Sequence, residues 1–588
     1  MRIFDAFGDH LSAEGWSLCL QTIIFPLLAS SKDQLEFAND NESDVSAKER
    51  EDWNETVILT LNGTSKLLAE YLQVISKDPT FEDSWQRLLN LYGKLLHLGV
   101  ADISTATLKS LQLILSVANR DGIMTLRDTS ITDAWLLWSN SLPEVQEQEG
   151  DTKSDNQKYL LSYVSTLKEV YRLTQHNITA DQIETLLAAL QTTVRKANAA
   201  TYTSDVENLT QLQTQVLEMF RIIRTDIAGV PAAIITQVSQ VIELAFEDCT
   251  GANRQRPTYI AMSKAFMSLS ESLFVSYHSD HSIYNTGAVS ALLNALAKPI
   301  VLKYGFKTVT KSTPPWRQAT RSSLVILQSI LPTLTQEKLD EDVTKEIWAS
   351  IVKIGNSITT AHLSDLPKSI DVAADEEFDI ASFTQLQTLI IPALGASIVP
   401  DKTRRYFTES LFHRSLIHTP WRSELPQIDQ ELLANLYKIR RGRTDRLVPT
   451  QRIKMSYTCL NTLLSLVSLQ SSTIPQIKLA QAAAPYLILR AGLSLQMYIA
   501  DQPLRGKMPQ PLSQRNELLW ILRKLVDLRC ESEAIPDAPG VESENKKHLH
   551  RLYPLIAKAV RVAGMDAVML EVLGKALDEV GIEFGIGA

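Results

Sequence analysis

Four cysteines in 588 residues leave this chain without a disulfide framework or a thiolate metal site. Cys19, Cys249, Cys459 and Cys530 stand far apart, with no Cys-x-x-Cys pair and no Cys/His cluster, so a reducing compartment is expected. Glycine (22) and proline (23) together fall well under the roughly 12% that these residues average, which disfavours a many-turned sheet protein and favours long helices. No segment alternates apolar and polar residues between hairpin turns, so no strand is expected. No run approaches the ~18 apolar residues of a membrane span. Ser17 to Ala29 follows Asp5, Asp9 and Glu14 instead of a basic leader, so no signal peptide is expected.

A basic excess is missing too. The formal charge of −9 argues against a general nucleic-acid binder, whose basic face usually shows in the total, so no nucleic acid is expected among the partners. There is no Gly-rich phosphate loop followed by Lys-Ser/Thr, no Gly-x-Ser-x-Gly elbow and no His-Glu-x-x-His helix, so neither catalysis nor a cofactor is indicated. His278 and His281 lack the third and fourth ligands that zinc requires. They are expected in a loop, and His548 and His550, beside a linker, read the same way. Asn62-Gly63-Thr64 falls inside a helical pattern and carries no glycosylation signal.

What is present is ordinary globular composition, 45% hydrophobic and 21% charged, in a chain longer than one hydrophobic core usually serves. Residues 2 to 7 make under two turns of helix, so the chain is expected to start inside a repeat. Gly8 and Asp9 break the chain, Ser12 caps the next helix, and Trp16, Leu20, Ile23 and Leu27 recur at helical spacing as a buried stripe. A polar linker is expected over 30–51. Asp52 then caps a helix with Glu55 as its capping-box partner, and Val57, Leu61, Leu68, Leu72 and Ile75 form its stripe. Asp78-Pro79 ends that helix. Phe81, Trp85, Leu88, Tyr92 and Leu95 line the next, which stops at Gly99, and Leu108, Leu111, Leu115 and Ala118 line its return partner.

Further linkers are expected at 143–157, at 364–379 with the acidic run Asp375-Glu376-Glu377, and at 532–545. Thr179 with Gln182, and Ser204 with Glu207, are capping boxes, and Pro231 fits a first helical turn. Helices recur at roughly 40 to 50 residues per pair, the period of HEAT or armadillo repeats. The expected fold is an all-α, HEAT/armadillo-like α-solenoid of stacked helical hairpins. Its repeats fall into 1–142, 158–363 and 381–588.

Most of the tryptophans, at 16, 53, 85, 135, 138, 316, 348, 421 and 520, sit in apolar helix stripes, where packing between helices is their role. Trp421 differs, lying between Pro420 and Arg422 in an irregular basic segment. From Lys402 to Lys454 there are 12 Lys/Arg against five Asp/Glu, a balance of +7 in a chain whose remainder is −16. One expectation is a solvated loop whose arginines bridge acidic neighbours. The other is a dock for anionic lipid head groups or an acidic partner, built from Arg404, Arg405, Arg414, Trp421, Arg422, Arg440, Arg441, Arg443 and Arg446.

An aromatic-rich helix ending in Phe7-Gly8, a polar turn, then a Trp-bearing helix running into Phe25-Pro26-Leu27-Leu28 resembles the helical repeats downstream of the catalytic domain in large Arf exchange factors. WNETVILTLNGTSKLLAEYL at 53–72 resembles the Mon-two family, Golgi scaffold relatives of those exchangers, and AWLLWSN at 134–140 and YKIRRGR at 437–443 extend the likeness. This resemblance implies a cytoplasmic, non-enzymatic scaffold, peripheral on Golgi and endosome membranes, acting in endosome-to-Golgi traffic. Its implied partners are a Dopey-type protein, a phospholipid flippase and Arf-like GTPases. A karyopherin-like nuclear transport receptor and a guanine-nucleotide exchange factor are the alternatives that remain open.

Overall fold

In a computed structural model of the chain, the described residues are 8–40, 46–120, 122–142, 156–197, 203–247, 258–305, 310–336, 339–361, 371–418, 436–439, 442–444, 447–469, 474–506, 508–536 and 544–583. Among them there is no strand. Isolated antiparallel bridges join His418 to Pro449 and Ser468 to Cys530. Residues 2–7 and most of the expected 143–157 linker lie outside the described residues. The chain divides into two units, Met1–Leu269 with Val309–Ser312, and Ser270–Thr308 with Thr313–Ala588.

The first unit holds α1 (Ala13–Cys19), α2 (Phe25–Asp40), α3 (Ala47–Ile75), α4 (Phe81–His97), α5 (Ala101–Val117), α6 (Asp128–Ser139), α7 (Gln157–Thr174), α8 (Ala180–Lys196), α9 (Gln211–Ile222) and α10 (Val230–Leu244). Helices alternate between two layers: α3, α5, α7 and α9 stack in one, and α2, α4, α6, α8 and α10 in the other. Each hairpin therefore buries its stripe on the hairpins before and after it, which is the α-solenoid arrangement. The expected stripes of α3, α4 and α5 are all buried, with Val57, Leu61, Tyr92, Leu95 and Leu108 fully enclosed.

After α11 (Ile260–Tyr277), which crosses the division, the second unit repeats the pattern. It holds α12 (His281–Asn285), α13 (Ala288–Val301), α14 (Pro315–Gln336), α15 (Glu341–Thr359), α16 (Val372–Leu394), α17 (Asp401–Ser415), α18 (Ile453–Val467), α19 (Ile474–Asp501), α20 (Leu512–Asp527), α21 (Lys547–Val562) and α22 (Ala567–Glu583). One layer runs α13, α15, α17, α19, α21. The other stacks α14 on α16 and α16 on α18, and α20 on α22.

The first stripe is not the one the spacing predicts. Trp16 and Leu20 are buried, but Ile23 and Leu27 are 53% and 54% exposed, and Ile24, Phe25 and Leu28 are buried in their place. The cause is a π turn at Leu20–Ile24 between α1 and α2, which inserts one extra residue and advances the buried face by one position. A charge placed on either residue separates the two registers. Ile23→Asp should leave thermal stability within about 0.5 kcal/mol, whereas Ile24→Asp should cost about 2–5 kcal/mol. Equal losses in the two variants would restore the uninterrupted 3.6-residue stripe.

Local caps also differ from expectation. The linker at 30–51 is much shorter, because α2 continues to Asp40 and Ser46 opens α3 by accepting from the Glu49 amide at 3.2 Å. Asp52 lies inside that helix. The Thr179/Gln182 box is present. The next box is Thr210 with Gln213. Ser204 instead belongs to a 3-10 turn, and Glu207 accepts from the Lys311 amide at 2.5 Å and the Ser312 hydroxyl at 2.6 Å. Ser12 does cap α1, accepting from the Gly15 amide at 3.1 Å.

The largest correction is the third linker. Asp371 caps α16 through the amides of Ala373 and Ala374, and the acidic run Asp375-Glu376-Glu377 forms the first turns of a helix. Asp375, Glu376 and Asp379 are buried, which an acidic stretch tolerates only when every carboxylate finds a partner.

Candidate functional site

The basic stretch 402–454 takes in most of α17 and the first residues of α18, and the described residues between those helices lie at one edge of the second unit. At this edge α17, α19 and α21 end and α18, α20 and α22 begin. Its ends are pinned together by the His418–Pro449 bridge and by the Thr450 amide donating to Ile417 O at 2.9 Å. Between those pins, the described residues 436–439 and 442–444 lie as a strap on the neighbouring helices. Leu436 is buried against Gly492 and accepts a hydrogen bond from Gln496, and a Cβ at Gly492 would collide with the leucine. Tyr437 donates to Arg551 O at 2.6 Å. Thr444 donates its amide to Asp501 at 3.0 Å and its hydroxyl to Gln514 at 2.5 Å.

The positive charge of this stretch is divided between interior and surface. Arg404 is 1% exposed and donates to Leu394 O at 2.9 Å and Ala396 O at 2.6 Å, closing the end of α16. It is an internal capping residue and is withdrawn from the candidate dock. Arg405, Arg414 and Arg443 are exposed. Trp421, Arg422, Arg440, Arg441 and Arg446 lie outside the described residues.

Arg452, at the far end of the stretch, enters a buried cluster with the acidic run of α16. Asp379 accepts from Lys303 at 2.7 Å and from Arg452 at 2.5 Å, and all three side chains are nearly inaccessible. Lys303 also donates to Ile358 O and lies 4.9 Å from the Trp316 ring centroid. Asp375 accepts from Arg317 at 2.5 Å and Tyr304 at 3.0 Å, Glu376 accepts from the Met455 amide, and Glu377 pairs with Lys454. Burial presses Lys303 down to about 8, against the pull of Asp379. Burial likewise raises Asp379, against the two cations. Bridging of acidic neighbours is thus the role of Arg452 and Lys454.

A second cluster holds the strap's hinge. Glu517 of α20 accepts from Arg490 of α19 and from His418 at 2.5 Å, while Arg490 also donates to Ser415 O. Burial works against the charge on Glu517, yet Arg490 and His418 outweigh it and hold the carboxyl below its ordinary value. The sequence carried a signal for this group. Arg490 is the one charge in the apolar run Tyr486 to Leu495, and a charge inside an all-round apolar helix requires a buried partner.

Elsewhere the side chains read as packing. His548 is fully buried in α21 with Nε2 2.8 Å from Leu525 O, and burial takes it down to about 4. His550 also lies in α21, so neither belongs to a loop. Burial pushes the Cys459 thiol up to about 12, leaving it protonated and unreactive. Among the described residues no group of three His, Cys, Asp or Glu is placed to hold a metal, and no helix is long and apolar enough to cross a membrane. Trp16, Trp85, Trp135, Trp138, Trp316 and Trp348 are buried. Trp53 and Trp520 are half-buried.

Residues 4–148 match the family model of the GBF1-like tetratricopeptide repeat region. Over 569 residues the chain is 23% identical to the protein MON2 homolog of Schizosaccharomyces pombe. The match covers 94% of this chain and 33% of that protein, so the chain spans about a third of its curated relative's length. Among solved structures, a circular tandem repeat protein with novel repeat topology and enhanced subunit contact surfaces aligns over 96% of both chains at 11% identity and a TM-score of 0.23. The SYS-1/POP-1 complex aligns over 94% of this chain and 99% of that one, at 11% identity and a TM-score of 0.24. Overlaps of that size bear on neither mechanism nor partner.

Proposed function

We propose that the chain is a repeat protein of the Mon2 family, related to the Arf exchange factors, and that it acts as a non-enzymatic scaffold in endosome-to-Golgi traffic. It works from the cytoplasm, peripheral on Golgi and endosome membranes. It binds a Dopey-type protein, reaches a phospholipid flippase through it, and modulates Arf-like GTPases. The observation that carries this proposal is the correspondence with the MON2 homolog along almost the whole chain, through both units. Stacked hairpins supply extended surface for several partners without any catalytic group.

In this proposal the basic stretch of the sequence meets anionic lipid or an acidic partner surface through Arg405, Arg414, Trp421, Arg422, Arg440, Arg441, Arg443 and Arg446. Each basic side chain near an anionic membrane contributes roughly 1 kcal/mol, screened by salt. The test is purification of the full chain with a Dopey-type protein, alongside release of fluorescent guanine nucleotide from Arf and Arf-like GTPases. Formation of the complex, with nucleotide release at the spontaneous rate, is the expected result. Recovery of Ran and importin cargo instead would point to a transport receptor, and accelerated release would point to an exchange factor.

A further inference from the structure

The edge that carries the basic strap also exposes a group of large apolar side chains on its turns. Leu504 (45% exposed), Met508 (61%) and Leu512 (69%) follow the end of α19, Met565 (92%) and Val568 (41%) flank the turn between α21 and α22, and Val448 (81%) precedes Pro449. Polar contacts gather these turns into one place. Arg515 pairs with Asp566 at 2.6 and 2.7 Å, which brings the start of α20 to the start of α22. His418, bridged to Pro449, lies 3.2 Å from the Ser513 hydroxyl, which brings the segment at Pro449 to the start of α20. Gln502 donates to Met508 O at 3.1 Å, folding the 502–508 turn on itself.

An exposed leucine is common on any protein, but a contiguous apolar group of this kind marks an interaction site. Its composition and its surroundings narrow the partner. The most exposed of those on the two helix-joining turns, Met508, Leu512 and Met565, are long side chains, unbranched or γ-branched, at the turns and the helix start that follows. Among the described residues at these turns, Arg443, Lys558 and Arg561 expose basic charge, and the carboxylates of Asp501, Asp566 and Glu517 pair with Arg505, Arg515 and Arg490. The Arg515 hydrogen bonds hold Asp566 below the ordinary carboxylate range. Apolar tips inside a basic rim match an anionic bilayer, where the tips enter the acyl boundary and the arginines meet the head groups.

We propose that this edge is a membrane-insertion surface in which Met508, Leu512 and Met565 enter an anionic bilayer. It rests on the peripheral-membrane part of the proposed function and adds to it the residues that penetrate. Basic charge alone would give adsorption that salt removes; insertion adds a salt-resistant part.

The experiment is flotation of the full chain with phosphatidylcholine vesicles, with and without phosphatidylserine. The wild type is compared with Met508→Glu, Leu512→Glu and Met565→Glu, all at exposed positions where folding tolerates the change. Each substitution is expected to weaken binding to the anionic vesicles about tenfold. In Leu512→Trp, the indole fluorescence is expected to be quenched by lipids brominated along the acyl chain, a readout that surface adsorption does not produce. Unchanged binding in the three Glu variants, or no quenching, would overturn insertion. A wild type that ignores vesicles yet binds a Dopey-type protein would also overturn it, while leaving the scaffold proposal standing.

Discussion

Asp379→Asn is expected to destabilise the second unit by about 3–5 kcal/mol, the cost of leaving buried charge without its partner. Asp379 is the acceptor shared by Lys303 and Arg452, and solvent offers these cations little relief, since Lys303 and Asp379 are 0% exposed and Arg452 7%. The loss should appear as a lower urea midpoint by circular dichroism. Hydrogen exchange should place the weakened bonds in α16 and α18, because repeat arrays need not unfold in one step. Replacing all three groups by apolar residues, Lys303→Met, Asp379→Leu and Arg452→Met, should restore most of the stability. A loss under about 1 kcal/mol for Asp379→Asn would mean that solvent reaches the cluster.

The same cluster sets a pH dependence whose direction follows from Lys303. Its folded value of about 8 lies below the ordinary 10.5, so between those values the unfolded chain holds a proton that the folded chain has released. Its favourable contribution is therefore present above 10.5 and lost as pH falls through about 8. Wild-type stability measured relative to Lys303→Met should rise from pH 8 to pH 10.5.

Glu517→Gln is the second large expected effect, again about 3–5 kcal/mol, because it strands Arg490 at the centre of α19. Here the consequence is local as well as global. His418 loses its charged acceptor, the bridge to Pro449 weakens, and the strap residues 436–439 and 442–444 should become sites of proteolytic cleavage before the helices unfold. The folded carboxyl of Glu517 lies below its ordinary 4.5, so its contribution is present above 4.5 and is lost as pH falls through the lower folded value. Acid titration of the wild type and of Glu517→Gln should converge at low pH. Cleavage of the strap at the wild-type rate in Glu517→Gln would show that the hinge is held by packing alone.

The helical repeat was legible in the sequence because amphipathic stripes and caps are local. Val57 to Ile75, Phe81 to Leu95 and the Thr179/Gln182 box all depend on residues within a turn or two of each other. What escaped was nonlocal. Asp375 to Asp379 look like a solvated linker until Lys303, Arg317 and Arg452, some 60 to 75 residues away in sequence, supply their counter-charges. Arg404 likewise reads as surface charge because, beside its ion pair with the exposed Asp401, its acceptors are backbone carbonyls, which have no signature in a sequence. The exposed tips at Met508, Leu512 and Met565 were missed for the opposite reason, since Met565 lies more than 50 residues beyond the other two and the group forms only where two turns meet.

The π turn at Leu20–Ile24 has the geometry that a single-codon insertion leaves when a helix, instead of a loop, absorbs it. A related helix lacking it can be aligned correctly only with a one-residue gap in mid-helix. Without that gap, every position after Leu20 would be matched about 100° out of phase, pairing inward residues with outward ones. Comparison by substitution pattern alone would then score Ile23 as a core position and Ile24 as a tolerant one, the reverse of their burial.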